Sequence, residues 1–174
     1  DGADISIATG FLLATGTATV AKKFPQSKYT IVDYSVKAAP FANKKGKVLF
    51  KNVVGLTFET NQNSYMIGCL AALMAKRDGG NVISAVGGIK IPTVEIFIAA
   101  YRAGATKCVK GTRTLIDYSA DFVDQAKCSE LATTQVDRGS KVIFAVAGGC
   151  GLGALDVAKE GGLWGVGVDT DQSF

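Results

Sequence analysis

The sequence predicts an α/β fold built on a parallel sheet with helices on both faces. Three observations carry that prediction. Short apolar runs of β character recur at 29–33, 82–86, 114–118, 142–146 and 164–168. Stretches with apolar residues at helical spacing separate the later runs, so strands and helices alternate as in βαβ units. Glycine or small polar residues follow the runs, and 21 glycines against three prolines suit the many short turns such a fold requires.

Taken in order, Asp4–Ala8 alternates and reads as a strand. Phe11–Phe24 reads as a helix that Pro25 stops. YTIVD (29–33) is a strand ending in an acid, Ser35–Lys47 a polar loop containing Pro40, and Val48–Val54 a further strand. Thr60–Lys76 places Tyr65, Ile67, Leu70, Leu73 and Met74 at helical spacing. Thr60 or Asn61 can cap its start, and Asp78-Gly79-Gly80 ends it. The rhythm is regular from there. Val82–Val86 is a strand, GGIKIP a loop, and about Thr93–Ala103 a helix with Pro92 near its first turn. Thr114–Tyr118 is a strand, SADF a loop, and about Val123–Arg138 a helix closed by Gly139. Strand Val142–Val146 then leads into Gly148, Gly149, Gly151 and Gly153, a helix through Leu152, Leu155, Val157 and Ala158, and strand Trp164–Val168.

Composition narrows the function. The 174 residues are 48% hydrophobic, enough for a real core. The net charge of +4 is scattered; Lys22–Lys23 and Lys44–Lys45 are pairs rather than tracts, so no nucleic-acid partner is expected. No apolar run is long enough to span a bilayer. The chain has no histidine, which removes the usual general base, the Ser-His-Asp triad and most zinc sites. No catalytic group, metal or cofactor is expected. Cys69, Cys108, Cys128 and Cys150 show no CxxC spacing and read as buried, reduced thiols, with a Cys108–Cys128 disulfide open to an exported protein.

The polar chemistry gathers at the C-terminal ends of the strands, where open α/β sheets bind ligands. Asp33 and Asp169 end strands, and carboxylates there can accept hydrogen bonds from sugar hydroxyls or base N–H groups. Phe122 and Phe11 lie just past strand ends, Phe97 lies one turn into the helix after Pro92, and each could stack on a planar base; for Phe97, core packing beside Ile96, Ile98 and Tyr101 is the competing role. Gly149-x-Gly151-x-x-Ala154 after a strand, with Asp169 ending the next, fits a loose dinucleotide fingerprint. An NAD-dependent oxidoreductase is therefore an alternative reading.

Several segments together resemble the basic membrane protein family, the purine-nucleoside-binding lipoproteins of ABC importers. They are ATGFLLA (8–14), YTIVD (29–33), SYMIGCLAALMAK (64–76), VGGIKIPTVEIFIAAYRAG (86–104), YSADFVDQAKCSELA (118–132), AVAGGCGLGALDVAKE (145–160) and GVGVDTDQ (165–172). The resemblance implies a type I periplasmic-binding-protein fold, two doubly wound lobes closing on a ligand. Residues 1–55 would end the N-terminal lobe, with 48–54 a crossing strand. Residues 56–174 would hold the crossing segment and part of the C-terminal lobe, so the chain would be an internal fragment incomplete at both ends. The resemblance also implies an extracellular or periplasmic receptor. Its partners would be a purine nucleoside of adenosine, guanosine or inosine type and an ABC permease, and its membrane link a lipid anchor outside this chain. On that template Asp33 meets the base region and Phe122 walls the second lobe. Gly148 and Gly149 admit the ligand backbone-close, and Asp169 takes ribose hydroxyls with Gln172 beside it. Lys90 stands where the family usually has an acid, and Glu95 near a usual base. A nucleoside-sensing regulator on the same fold is a further alternative.

Overall fold

The computed structural model describes residues 3–173. The chain separates into two compact units that part between Glu59 and Thr60.

In the first unit, β1 (Ser6–Thr9), a 3-10 turn (Phe11–Leu13), α1 (Ala14–Lys23), β2 (Tyr29–Val32) and β3 (Val53–Leu56) form a parallel sheet in the order β1-β2-β3. Small residues on α1 (Ala14, Ala18, Ala21) bring that helix close to Tyr29, Ile31 and Val53. Phe41 is fully buried, edge-on to Tyr34 and Phe50 at 5.9 and 5.7 Å between ring centroids. This burial shifts the expected strand at 48–54. Leu49 donates its N–H to the Phe41 carbonyl, and Val48 bridges antiparallel to Ala42. Pairing with β2 therefore starts only at Val53. The Asn52 side chain donates to the carbonyls of Ala21 and Ser27, each at 3.0 Å, tying the end of α1 to the approach to β3.

The second unit alternates strictly. It runs α2 (Thr60–Arg77), β4 (Val82–Gly87), α3 (Pro92–Cys108), β5 (Arg113–Tyr118), α4 (Gln125–Asp137), β6 (Ser140–Val146), α5 (Gly151–Glu160) and β7 (Trp164–Val166). All strands are parallel, in the order β5-β4-β6-β7. Side chains alternate across the sheet as the two-residue period of a strand requires. Val142, Phe144 and Val146 pack with α2 and α3, while Ile143 and Ala145 pack with α4 and α5. Every residue of β4 is buried, which suits a central parallel strand covered on both faces.

Two helix contacts are closer than side chains normally allow. A Cβ on Gly68 would lie 1.9 Å from the Tyr101 carbonyl oxygen, and one on Gly104 would lie 1.9 Å from that of Tyr65. Backbone meets backbone where α2 crosses α3. Beside this crossing a Cys69–Cys108 disulfide joins the two helices, and a Cys128–Cys150 disulfide joins α4 to the start of α5. The expected reduced thiols and the Cys108–Cys128 pairing are therefore both corrected. The pairing follows helix neighbours, which cysteine spacing does not encode.

Element ends differ from expectation for local reasons. Helix α3 runs on to Cys108 rather than 103. Helix α4 starts at Gln125 rather than 123 because acids cap the turn before it: Asp121 Oδ1 accepts from the N–H of Val123 at 2.7 Å, and Asp124 Oδ1 from that of Ala126 at 3.1 Å. Strand β7 stops at Val166 rather than 168, since the N–H of Val168 donates to Gln172 Oε1 at 2.9 Å. No helix among the described residues is long and apolar enough to cross a membrane.

Candidate functional site

In the second unit the C-terminal edge of the sheet is a close-built cluster. β4 runs out into Gly87 and Gly88, both buried. The loop after β5 folds over them: the N–H of Ser119 donates to the Gly87 carbonyl at 2.9 Å, and that of Ala120 to the Gly88 carbonyl at 3.2 Å. This places the Phe122 ring on Gly88, where a Cβ would come within 2.3 Å of ring atom Cε1. From the far side the glycine loop after β6 approaches the same residue. The N–H of Cys150 donates to the Phe122 carbonyl at 3.0 Å, and a Cβ on Gly148 would lie 3.7 Å from Phe122 Cδ1. Phe122 and Gly148 are half-buried and Gly149 is exposed. The structure thus brings Phe122, Gly148 and Gly149 together.

The loop is held electrostatically as well. Asp121 accepts from the N–H groups of Val123 and Asp124 and pairs with Lys127 Nζ at 3.0 Å. These donors, the Val123 amide first, lower its carboxyl pKa to about 2. Next to it, the Tyr118 hydroxyl donates to Glu95 Oε1. Burial first, then that hydrogen bond, raises the Tyr118 pKa to about 12. Lys90 Nζ lies 5.5 Å from the centre of the Tyr118 ring. Lys90 and Glu95 therefore share one partner, the Tyr118 side chain.

Three non-glycine residues among those described have a left-handed backbone: Asp33 (φ 60°), Ala120 (φ 55°) and Asp169 (φ 66°). Asp33 directly follows β2, Ala120 lies two residues past β5, and Asp169 lies three past β7. This conformation costs an ordinary L-residue roughly 1–2 kcal/mol, less for Asp, which tolerates it better. Such strain collects at functional sites. Here all three instances fall past strand ends, at the edges where the sequence placed its ligand acids.

The other expected residues fall as follows. Asp169 is exposed. Gln172 is half-buried, and its side-chain oxygen caps the Val168 N–H. In the first unit Asp33 is half-buried and donates its N–H to the Leu56 carbonyl at 2.8 Å, and Phe11 opens the 3-10 turn after β1. Phe97 packs on the α2–α3 side of the core, 6.3 Å from the Phe144 ring centre, which is the packing role its neighbours suggested. The fingerprint glycines also have packing work. A Cβ on Gly151 would lie 3.1 Å from that of Ala145 on β6. Two residues past Gly151, a Cβ on Gly153 would lie 2.2 Å from the Gln125 carbonyl oxygen on α4. A groove of about 740 Å³ runs between α5 and the segment after β7; Gln172 lines it, but Phe122, Gly148, Gly149 and Asp169 do not. Sequence reasoning missed Gly88, Ala120 and Asp121. Only Asp121 carried a signal, the Asp-x-x-Asp spacing of a helix start.

The whole chain, residues 1–174, matches the family described as ABC transporter substrate-binding protein PnrA-like. The chain belongs to this family. It is 31% identical over 173 residues to the ABC transporter nucleoside-binding protein BmpA of Lactococcus lactis subsp. cremoris, covering 95% of this chain and 45% of that protein. Basic membrane protein B of Borrelia garinii subsp. bavariensis is 29% identical over 175 residues, covering 99% and 48%. The chain thus spans about half the length of these curated relatives. An ABC transporter solute-binding protein from Aeropyrum pernix K1 superposes with a TM-score of 0.78 at 23% identity, covering 94% of this chain and 45% of that one. That likeness shows the fold, the type I periplasmic-binding-protein arrangement. Substrate-binding proteins of transporters are not enzymes, and the oxidoreductase alternative finds no support in this family.

Proposed function

We propose that the protein carrying this sequence is the extracellular or periplasmic receptor of an ABC importer and that its ligand is a purine nucleoside. The observation that carries the ligand class is the Phe122 ring, fixed against Gly88 beside the open Gly148–Gly149 backbone at the strand-end edge. An aromatic face beside exposed backbone suits a planar base, and each such stack contributes roughly 1–3 kcal/mol. Asp169 supplies a carboxylate at the same sheet edge for ribose hydroxyls, each charge-assisted bond contributing roughly 1.5–3 kcal/mol. Asp33 and Phe11 are the candidate contacts at the corresponding edge of the first unit. The residues perform no bond-making step: affinity comes from stacking and hydrogen bonding, and the ligand shifts the receptor toward its bound conformation. The bound form is what a permease would receive. Two disulfides are in keeping with an oxidising compartment outside the cytosol, and a lipid anchor would lie outside these residues.

The test is calorimetric titration of adenosine, guanosine, inosine, ribose and NAD into the longest polypeptide that carries residues 1–174. Nucleoside binding at micromolar or tighter affinity, with free ribose far weaker, is expected. Tight binding of NAD or of a sugar alone, with no nucleoside binding, would overturn the reading.

A further inference from the structure

We propose that Gly88 is a positioning residue for ligand recognition: its missing side chain sets where the Phe122 ring lies, and so whether that ring can receive a base. The inference rests on the nucleoside reading above and concerns a residue that touches the wall rather than the ligand.

Gly88 has no left-handed backbone, so its conformation is open to alanine. What excludes a side chain is the ring. An added Cβ would meet Phe122 Cε1 at 2.3 Å and Cδ1 at 2.5 Å, distances real Cβ atoms do not show, whereas its third neighbour, the Asp121 carbonyl oxygen at 3.0 Å, is tight but within reach of a small adjustment. One residue earlier the same arrangement recurs: a Cβ on Gly87 would lie 2.7 Å from Cδ1 and Cε1 of Tyr118. The chain therefore leaves β4 through two glycines because two rings, one from each end of the 118–122 loop, lie on them.

Neither side of the Gly88–Phe122 contact can back away. The Gly88 N–H donates to the Val146 carbonyl at 3.0 Å, and its carbonyl accepts from Ala120. The Phe122 carbonyl is held by Cys150, and the Asp121 side chain fixes the turn behind it. With both backbones pinned, a methyl group at 88 forces the ring to turn, in addition to the few tenths of an ångström that the Asp121 carbonyl must give. The left-handed Ala120 belongs to the same device, since it carries the chain from the Gly88 carbonyl back to Phe122 within two residues.

The experiment has a ligand-free arm and a ligand arm, both on the longest polypeptide carrying the sequence. The first uses fluorine NMR with 4-fluorophenylalanine at every phenylalanine, nine of them in residues 1–174, the Phe122 resonance being assigned by its loss in Phe122→Leu. Gly88→Ala should shift that resonance and leave the others in place. In the second, adenosine and inosine affinity should fall about tenfold to a hundredfold in Gly88→Ala, the range for losing one base–aromatic stack. Gly16→Ala, on α1 with nothing within 4 Å of its added Cβ, should leave affinity unchanged. If Gly88→Ala fails to fold, Gly88→Ala/Phe122→Ala should recover most of the melting temperature of Phe122→Ala, since only the 3.0 Å contact with the Asp121 carbonyl oxygen then remains. An unmoved Phe122 resonance, a moved resonance with unchanged affinity, or a double variant that still fails to fold would each overturn the proposal. A wild-type protein that binds no nucleoside would instead overturn the functional reading, while a resonance shift would still support Gly88 as the residue that sets the ring.

Discussion

The N–H of Cys150 and the carbonyl of Phe122 meet at 3.0 Å, and Cys150 is also disulfide-bonded to Cys128 on α4. The aromatic wall, the glycine loop and α4 are thus joined in a closed circuit of one hydrogen bond and one covalent link. Both cysteines are fully buried. For a disulfide closing a loop of sequence separation 22, the chain-entropy relation gives about 3 kcal/mol. Cys128→Ala/Cys150→Ala should lower unfolding stability by that order in guanidinium titrations.

The two disulfides should differ in access. Cys108 is exposed at the end of α3, whereas Cys128 and Cys150 are not accessible. Thiol–disulfide exchange requires the attacking thiolate to reach a sulfur. Under mild reductant in native buffer, Cys69 and Cys108 should be alkylated first, and mass spectrometry of the labelled peptides reads the order. Equal labelling of all four would contradict the burial argument.

Ala120 and Asp169 separate stability from binding. Ala120→Gly removes the left-handed cost of roughly 1–2 kcal/mol and adds unfolded-chain entropy of roughly 0.4–1 kcal/mol, so stability should rise by up to about 1.5 kcal/mol. Asp169→Gly should gain less, because Asp tolerates the conformation better, and should lose nucleoside affinity about tenfold to a hundredfold. Thermal melts and titrations on the pair check the split.

Trp164 reports an acid-sensitive latch. Its indole N–H donates to Asp78 Oδ2 at 2.7 Å, and the Arg77 guanidinium lies 5.1 Å from its ring centre. The hydrogen bond from Arg77, then that from Trp164, lowers the Asp78 carboxyl below its ordinary 3.8. A depressed folded-state pKa means the contribution is complete above the ordinary carboxylate range and fades as pH falls through the folded value. Trp164 is the single tryptophan, so its fluorescence should hold steady from neutral pH to about pH 4 and change below. Asp78→Asn should remove that acid step.

Tyr118 runs the other way. With its pKa raised to about 12, by burial first and Glu95 second, the neutral phenol is favoured in the folded state. Its contribution is complete below the ordinary tyrosine pKa and is lost as pH rises toward 12. Phenolate absorbance, taken as the difference from Tyr118→Phe, should appear at lower pH in Glu95→Gln.

Much of the second unit was legible in the sequence because its periodicity is clean. Val142, Phe144 and Val146 alternate with Ile143 and Ala145, and glycines and acids stand where those runs stop. The first unit was harder to read: Ala42 and Phe41 capture residues 48 and 49, so the apolar run there does not coincide with the strand. Cysteine partners depend on which helices touch, a long-range fact with no local trace. Gly88 looks in sequence like any turn glycine, and only the ring lying on it shows that its role is to leave room. Phe97 and Phe122 were both candidates for stacking, yet Phe97 lies within α3 and packs beside Phe144, while Phe122 lies in the loop after β5 and is held on Gly88 by that loop's hydrogen bonds.

The reciprocal contact of Gly68 with Tyr101 and Gly104 with Tyr65 has a consequence for how the molecule breathes. Two helices joined backbone to backbone and stapled at Cys69–Cys108 cannot fray apart residue by residue. Their interior amides should trade hydrogen for deuterium as one cooperative block, at a single opening free energy. The peptide groups of β7, a three-residue strand at the sheet edge, should exchange far sooner.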